Sequence, residues 1–210
     1  MNYSVNFRDI KLADLPSVGG KNASLCEMLS NLSPLGIQIP DGFALTADAF
    51  RLFLHENNFV QSLTEWLSEL DINTLSNLPE IGQKCRDLIG SGVLPEVVKE
   101  ETLIAYRLLA NNAPISVAVR SSATAEDLPT ASFAGQHDSF LNVEGEENLL
   151  NAVIKCYVSL FNNRAIKYRI DNGFEHLKVA LSVGVQQMIR SDKGSAGVHL
   201  RSTPRRVSPT

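Results

Sequence analysis

The chain has 210 residues, a net charge of −4, 44% hydrophobic and 20% charged residues, values that suit one large or two small globular domains. They argue against nucleic acid or an anionic membrane as partner, and no apolar run approaches the roughly eighteen residues of a membrane-spanning helix. The N-terminal MNYSVNFRDIKLAD lacks the basic-then-apolar layout of a signal peptide, and Cys26, Cys85 and Cys156 are too scattered for a disulfide framework or a zinc site, so the cytoplasm is the expected compartment.

In chain order, the first recognisable unit is VGGKNASLCEMLSNLSPLGIQIPDGFALT. Leu25, Met28, Leu29 and Leu32 recur at helical spacing, which predicts a helix starting just after Gly19-Gly20-Lys21 and ending at Ser33-Pro34-Leu35-Gly36. Pro40-Asp41-Gly42 signals a turn, followed by a short strand at Phe43–Leu45. Thr46 is the predicted N-cap of the next helix, with Asp48 near its positive dipole end. Residues 59–113 read as largely helical, with Leu63, Trp66, Leu67 and Leu70 on one face, and carry no evident chemistry.

ISVAVRSSA then alternates: Ile115, Val117 and Val119 point one way, and Ser116, Ala118 and Arg120 the other. Ser139–Val143 is predicted as a second strand, Glu146 and Glu147 as the start of a helix that ends near Asn172-Gly173, and residues 179–189 as a further alternating strand. The closing HLRSTPRRVSPT has three arginines, two prolines and no acidic residue, and reads as a disordered or displaced tail over 199–210.

Four places carry candidate chemistry. Gly19-Gly20-Lys21 before a helix can bind phosphate through backbone amides and a cation, or can be a tight turn with a solvated lysine. It is not a GxxxxGK[ST] loop, because Asn22 stands where Ser or Thr would reach magnesium. Arg120, beside Ser121, Ser122 and Thr124, can fork onto two phosphate oxygens; the alternative is an internal salt bridge to Glu126 or Asp127. Gly135-Gln136 can admit a ligand close to the backbone or form a plain β-turn. Gln187-Met188-Ile189 can offer backbone groups and an apolar wall to an adenine ring, although an ordinary strand end is the simpler reading. The four histidines, His55, His137, His176 and His199, lack an orienting carboxylate at fixed spacing, and no residue set reads as catalytic or as a metal site.

Taken in order, VGGKNASL, IPDGFALTADAF, AVRSSATAEDLPTASFAGQ, SLFNNRAIKYR and VGVQQMIRSDKG resemble the N-terminal ATP-binding region of the phosphoenolpyruvate-utilising dikinases, the phosphoenolpyruvate synthase (pyruvate, water dikinase) branch above all. The resemblance implies an α+β, ATP-grasp nucleotide-binding domain over residues 1–198, with ATP as ligand. It implies that Lys21 and Arg120 contact the ATP phosphates, that Gly135 and Gln136 belong to the loop covering them, and that Gln187, Met188 and Ile189 lie beside adenine. In the family's complete enzymes ATP phosphorylates a histidine, and the phosphohistidine converts pyruvate to phosphoenolpyruvate with magnesium, AMP and phosphate being released. None of the four histidines here has the Gly- and Thr-rich setting of that acceptor. The pyruvate-binding barrel, the second lobe and its magnesium ligands are also missing from the 210 residues. The composition change after Val198 therefore suggests a frameshift or truncation, and the chain alone is expected to be inactive. A homodimer is expected only of the full-length family. The alternatives are a fragment of a related enzyme such as rifampicin phosphotransferase, or a catalytically silent polypeptide.

Overall fold

The computed structural model describes residues 2–111, 113–124, 127–128, 131–132, 138–190 and 193–194. The chain enters through β1 (Ser4–Asn6), then α1 (Leu15–Leu32), β2 (Gly42–Leu45) and four helices: α2 (Ala47–Glu56), α3 (Phe59–Ser68), α4 (Leu78–Gly90) and α5 (Glu96–Ala110). The alternation of ISVAVRSSA becomes β3 (Ser116–Ala123), followed by a small ribbon of β4 (Asp127–Leu128) and β5 (Ala131–Ser132). β6 (Ser139–Glu144), α6 (Glu146–Ser159), α7 (Asn163–Asp171) and β7 (Leu181–Gln187) complete it. The large sheet is antiparallel throughout, in the order β1-β2-β7-β3-β6. The class is therefore α+β, as expected.

Each strand's two-residue period assigns it two different faces. Phe43, Leu45, Val117, Val119, Leu181, Val183 and Val185 face a thick helical layer, where they join Phe50, Phe53, Leu63, Ile81, Leu149 and Tyr157 in one buried cluster. The rings there interlock, Tyr157 lying 4.9 Å from Phe50 and 5.1 Å from Phe53 between centroids. Burying each such side chain contributes about 1.5–3 kcal/mol, so most of the fold's stabilisation lies on this side. The opposite face is covered by α1, whose Val18, Ala23, Cys26 and Leu29 make a smaller cluster with Phe7, Ile10 and Ala44. Cys26, Cys85 and Cys156 are all buried among apolar neighbours.

Several expectations need correction. The first helical run begins at Leu15 and is broken at Gly19, whose φ of 72° and ψ of 161° are non-helical. The stretch from Glu146 to Asp171 is two helices, because Asn162 is extended (φ −60°, ψ 143°) and restarts the helix. The apolar period ran through that break because both helices bury the same side of the layer. Thr46 is the N-cap residue of α2, as expected, but without a side-chain capping bond; its hydroxyl donates instead to the carbonyl of Asn2 at 3.3 Å. Met28 is half exposed, because Cys26 and Leu29 already fill the space beneath α1. Gly42 belongs to β2 rather than to the turn before it. β1 was not predicted at all: three residues, Ser-Val-Asn, are too few to show a period.

Candidate functional site

The site grows from the register of two neighbouring strands. Ser122 of β3 lies opposite Ser182 of β7, Arg120 opposite Gly184, and Ala118 opposite Gln186. All six therefore share the face that α1 partly covers. Small side chains at Ser122, Ser182 and Gly184 let the α1 backbone come close. Gly19 packs directly on Ser122: a Cβ there would run into the Ser122 hydroxyl and stand 2.6 Å from its carbonyl oxygen. Its positive φ with an extended ψ is a conformation essentially confined to glycine. This kink starts the second, longer part of α1 at Gly20-Lys21, on the sheet face that carries Arg120.

Asn22 fixes that start. It is 5% exposed. Its Nδ2 donates to Val18 O at 3.0 Å and to Ser182 Oγ at 3.1 Å, and its backbone N–H donates to Ser122 Oγ at 3.4 Å. Ser182 Oγ passes the chain on to Leu45 O at 2.6 Å. Asn22 Oδ1 sits over Gly184, leaving no room for a Cβ at that position. A buried polar chain of this kind stabilises one arrangement because every broken link strands a desolvated group. The sequence reading noted Asn22 only as a departure from a magnesium-binding loop. Its matching signal was the small-residue parity Ser182-x-Gly184 in the partner strand.

Lys21 and Arg120 are both exposed, and the structure brings them to the same face. Arg120 Nη2 donates to Gln186 Oε1 at 2.7 Å. Among the described residues no carboxylate pairs with it; Glu126 and the side chain of Asp127, its alternative partners, lie outside them. Gln186 Nε2 in turn donates to Pro40 O at 3.1 Å. Pro40 borders a groove of about 520 Å³ lined also by Arg8, Ile37, Ile39, Asp41, Gln187 and Ile189. Two amides of the predicted adenine segment are already used, Gln187 N–H donating to Asp41 O at 3.0 Å and Met188 N–H to Ser116 O at 2.9 Å. Ile189 is 62% exposed and forms an apolar rim. Gly135, Gln136 and the 199–210 tail lie outside the described residues.

The donor set does not fit magnesium. Among the described residues no three His, Cys, Asp or Glu side chains gather to hold a metal, and the Asn22 amide is spent on the fold. Away from this face, Arg169 is fully buried. It donates to Leu160 O at 2.7 Å and, through Nε, to His176 Nδ1 at 3.0 Å. Burial pulls its guanidinium down to about 9. Burial first and the Arg169 charge second push His176 down to about 4, so it is a neutral acceptor in the core layer.

Arg120, without a carboxylate partner among the described residues, and the glycine-kinked helix start thus lie on one sheet face. Residues 15–207 match the family described as pyruvate phosphate dikinase, AMP/ATP-binding domain, a span that ends beyond the 198 boundary drawn from composition. The chain is 47% identical over 200 residues to a phosphoenolpyruvate synthase of Neisseria meningitidis, covering 94% of this chain and 25% of the relative. A phosphoenolpyruvate synthase of Escherichia coli is 47% identical over 193 residues, covering 91% and 24% respectively. A probable phosphoenolpyruvate synthase of Methanocaldococcus jannaschii is 44% identical over 207 residues, covering 97% and 17%. The chain thus spans about a quarter or less of the length of these relatives, and with the family match over most of its residues it belongs to the pyruvate phosphate dikinase AMP/ATP-binding domain family.

Proposed function

We propose that this chain is the ATP-binding part of a phosphoenolpyruvate synthase, built as one portion of an ATP-grasp domain. The observation that carries the reading is Arg120: exposed, held by a neutral amide, and on the same face as the Gly19–Lys21 helix start. Arg120 forks onto phosphate oxygens, which its planar guanidinium suits. Lys21 adds a point charge, and the start of the long α1 segment favours the same anion. Gly135 and Gln136 cover the phosphates. The adenine ring takes the groove beside Gln187, Met188 and Ile189, between the apolar edges of Ile37, Ile39 and Ile189.

In the whole enzyme, ATP, pyruvate and water give phosphoenolpyruvate, AMP and phosphate through a phosphohistidine outside these residues. Phosphoryl transfer of this kind depends on positioning and charge neutralisation, and Lys21 and Arg120 supply part of both. Magnesium belongs to the whole enzyme. Cytoplasmic location and a homodimer of the whole enzyme complete the reading; no helix among the described residues is long and apolar enough to cross a membrane. The division into a nucleotide-binding region over 1–198 and a separate tail rests on composition.

Calorimetric titration with ATP tests the site. Binding by the chain, weakened at least tenfold in Lys21→Ala and Arg120→Ala, is expected from lost charge-assisted bonds. Affinities unchanged in both variants contradict the assignment. Pyruvate-dependent AMP formation is expected to be absent from the 210 residues alone, and its appearance would place the acceptor chemistry within them.

A further inference from the structure

We infer that Gln186 is a positioning residue for Arg120: it orients the guanidinium toward the ligand while adding no opposing charge of its own. The inference rests on the nucleotide reading above and adds a residue that neither the sequence motifs nor the family match assigns. Arg120 and Gln186 are diagonal neighbours, since Arg120 faces Gly184 and Gln186 faces Ala118 across the same strand pair. Diagonal positions are within reach of long side chains. Gly184 adds no side chain of its own between them, and the Asn22 amide lies over it.

The amide is used at both ends. Its oxygen accepts from Arg120 Nη2 at 2.7 Å and its nitrogen donates to Pro40 O at 3.1 Å. Only this orientation satisfies both partners, because arginine cannot accept and a carbonyl cannot donate. Gln186 is thereby braced against the loop that borders the 520 Å³ groove, and it ties the phosphate-side cation to the base-side groove.

The neutrality of the amide is the functional part. A carboxylate at the same position would form an ion pair with Arg120 and compete with phosphate oxygens for the same N–H groups. Among the described residues, Asp41, which borders the same groove as Pro40, is occupied by Arg8 at 2.6 Å. Gln186 thus provides a hydrogen bond strong enough to restrict a long flexible side chain and weak enough to yield part of the guanidinium to an anion.

Two variants separate charge from structure. Gln186→Leu removes both hydrogen bonds; Gln186→Glu keeps the shape, loses the donor to Pro40 and adds a negative charge. The probes are ATP and inorganic tripolyphosphate, titrated calorimetrically into the 210-residue chain, with melting temperature measured in parallel. Affinity for both probes is expected to fall about three- to tenfold in Gln186→Leu, the range of one lost hydrogen bond, and further, beyond tenfold, in Gln186→Glu. A merely structural role reverses that order, because the leucine variant loses more bonds, and shows it in the melting temperature first. Wild-type affinity in both variants, or the reversed order, overturns the inference while leaving the nucleotide reading intact. Failure of the wild-type chain to bind either probe overturns both.

Discussion

The two faces of the central sheet are built on opposite rules. Toward the helical layer, β2, β3 and β7 present Phe43, Leu45, Val117, Val119, Val183 and Val185, and the space is filled by large rings and branched chains. Toward α1, the same strands present Ala44, Ala118, Arg120, Ser122, Ser182, Gly184 and Gln186, and backbones approach until glycine is required. The first face gains stability from area removed from water. The second spends part of that area on a polar chain, Asn22 to Ser182 to Leu45, that places a helix start, with Lys21 and Arg120 left exposed. On the proposed reading, the faces also differ in the quantity each controls, folding on one side and ligand geometry on the other.

Substitutions can break this comparison in order of size. Phe53→Ala, at a ring that is fully buried and packed on Tyr157, is expected to cost about 3–5 kcal/mol and to lower the urea midpoint sharply. Gly19→Ala is expected to cost about 1–3 kcal/mol from its backbone conformation, and more from the collision with Ser122. Its distinguishing mark is that ATP affinity falls even at temperatures where the chain stays folded by circular dichroism. Equal losses of stability and affinity at both positions would erase the distinction between the faces.

A smaller effect is expected from pH and belongs to the helical side. His176 is held at about 4 when folded, against about 6.5 in an unfolded chain, so the unfolded chain takes up the proton first. Its stabilising contribution is complete above about pH 6.5 and is lost as the pH falls toward 4. His176→Asn retains an acceptor for Arg169 without titrating. The melting temperature of the wild type should therefore drop more between pH 7.5 and pH 5 than that of the variant. Identical drops would mean that the Arg169–His176 contact does not report on folding.

The helical face was the more legible of the two. Leu63, Leu67 and Leu70 show their common face in spacing alone, and all three are buried. The alternation of Ile115 to Arg120 gave the correct facing because period two survives in any half-buried strand. The other face was legible in its charged members, and Arg120 stood out because a guanidinium after an apolar strand is conspicuous. Its supporting residues did not stand out. Asn22 acts through Ser182, 160 residues away, and Gln186 through Pro40, 146 residues away. No local pattern encodes such pairings; they exist only once α1, β2, β3 and β7 are assembled. The helix break at Asn162 escaped for a related reason, since both sides of the break bury apolar residues against one layer.

The central claim is that Arg120 serves a ligand and not the fold, and one paired measurement addresses it: ATP affinity and melting temperature of the chain with arginine or alanine at position 120. The account predicts ATP binding by the wild type, at least a tenfold loss in Arg120→Ala, and melting temperatures that agree closely, because Arg120 is exposed and, among the described residues, bonded through a neutral amide. A variant that melts much lower while binding ATP as tightly as the wild type would contradict it.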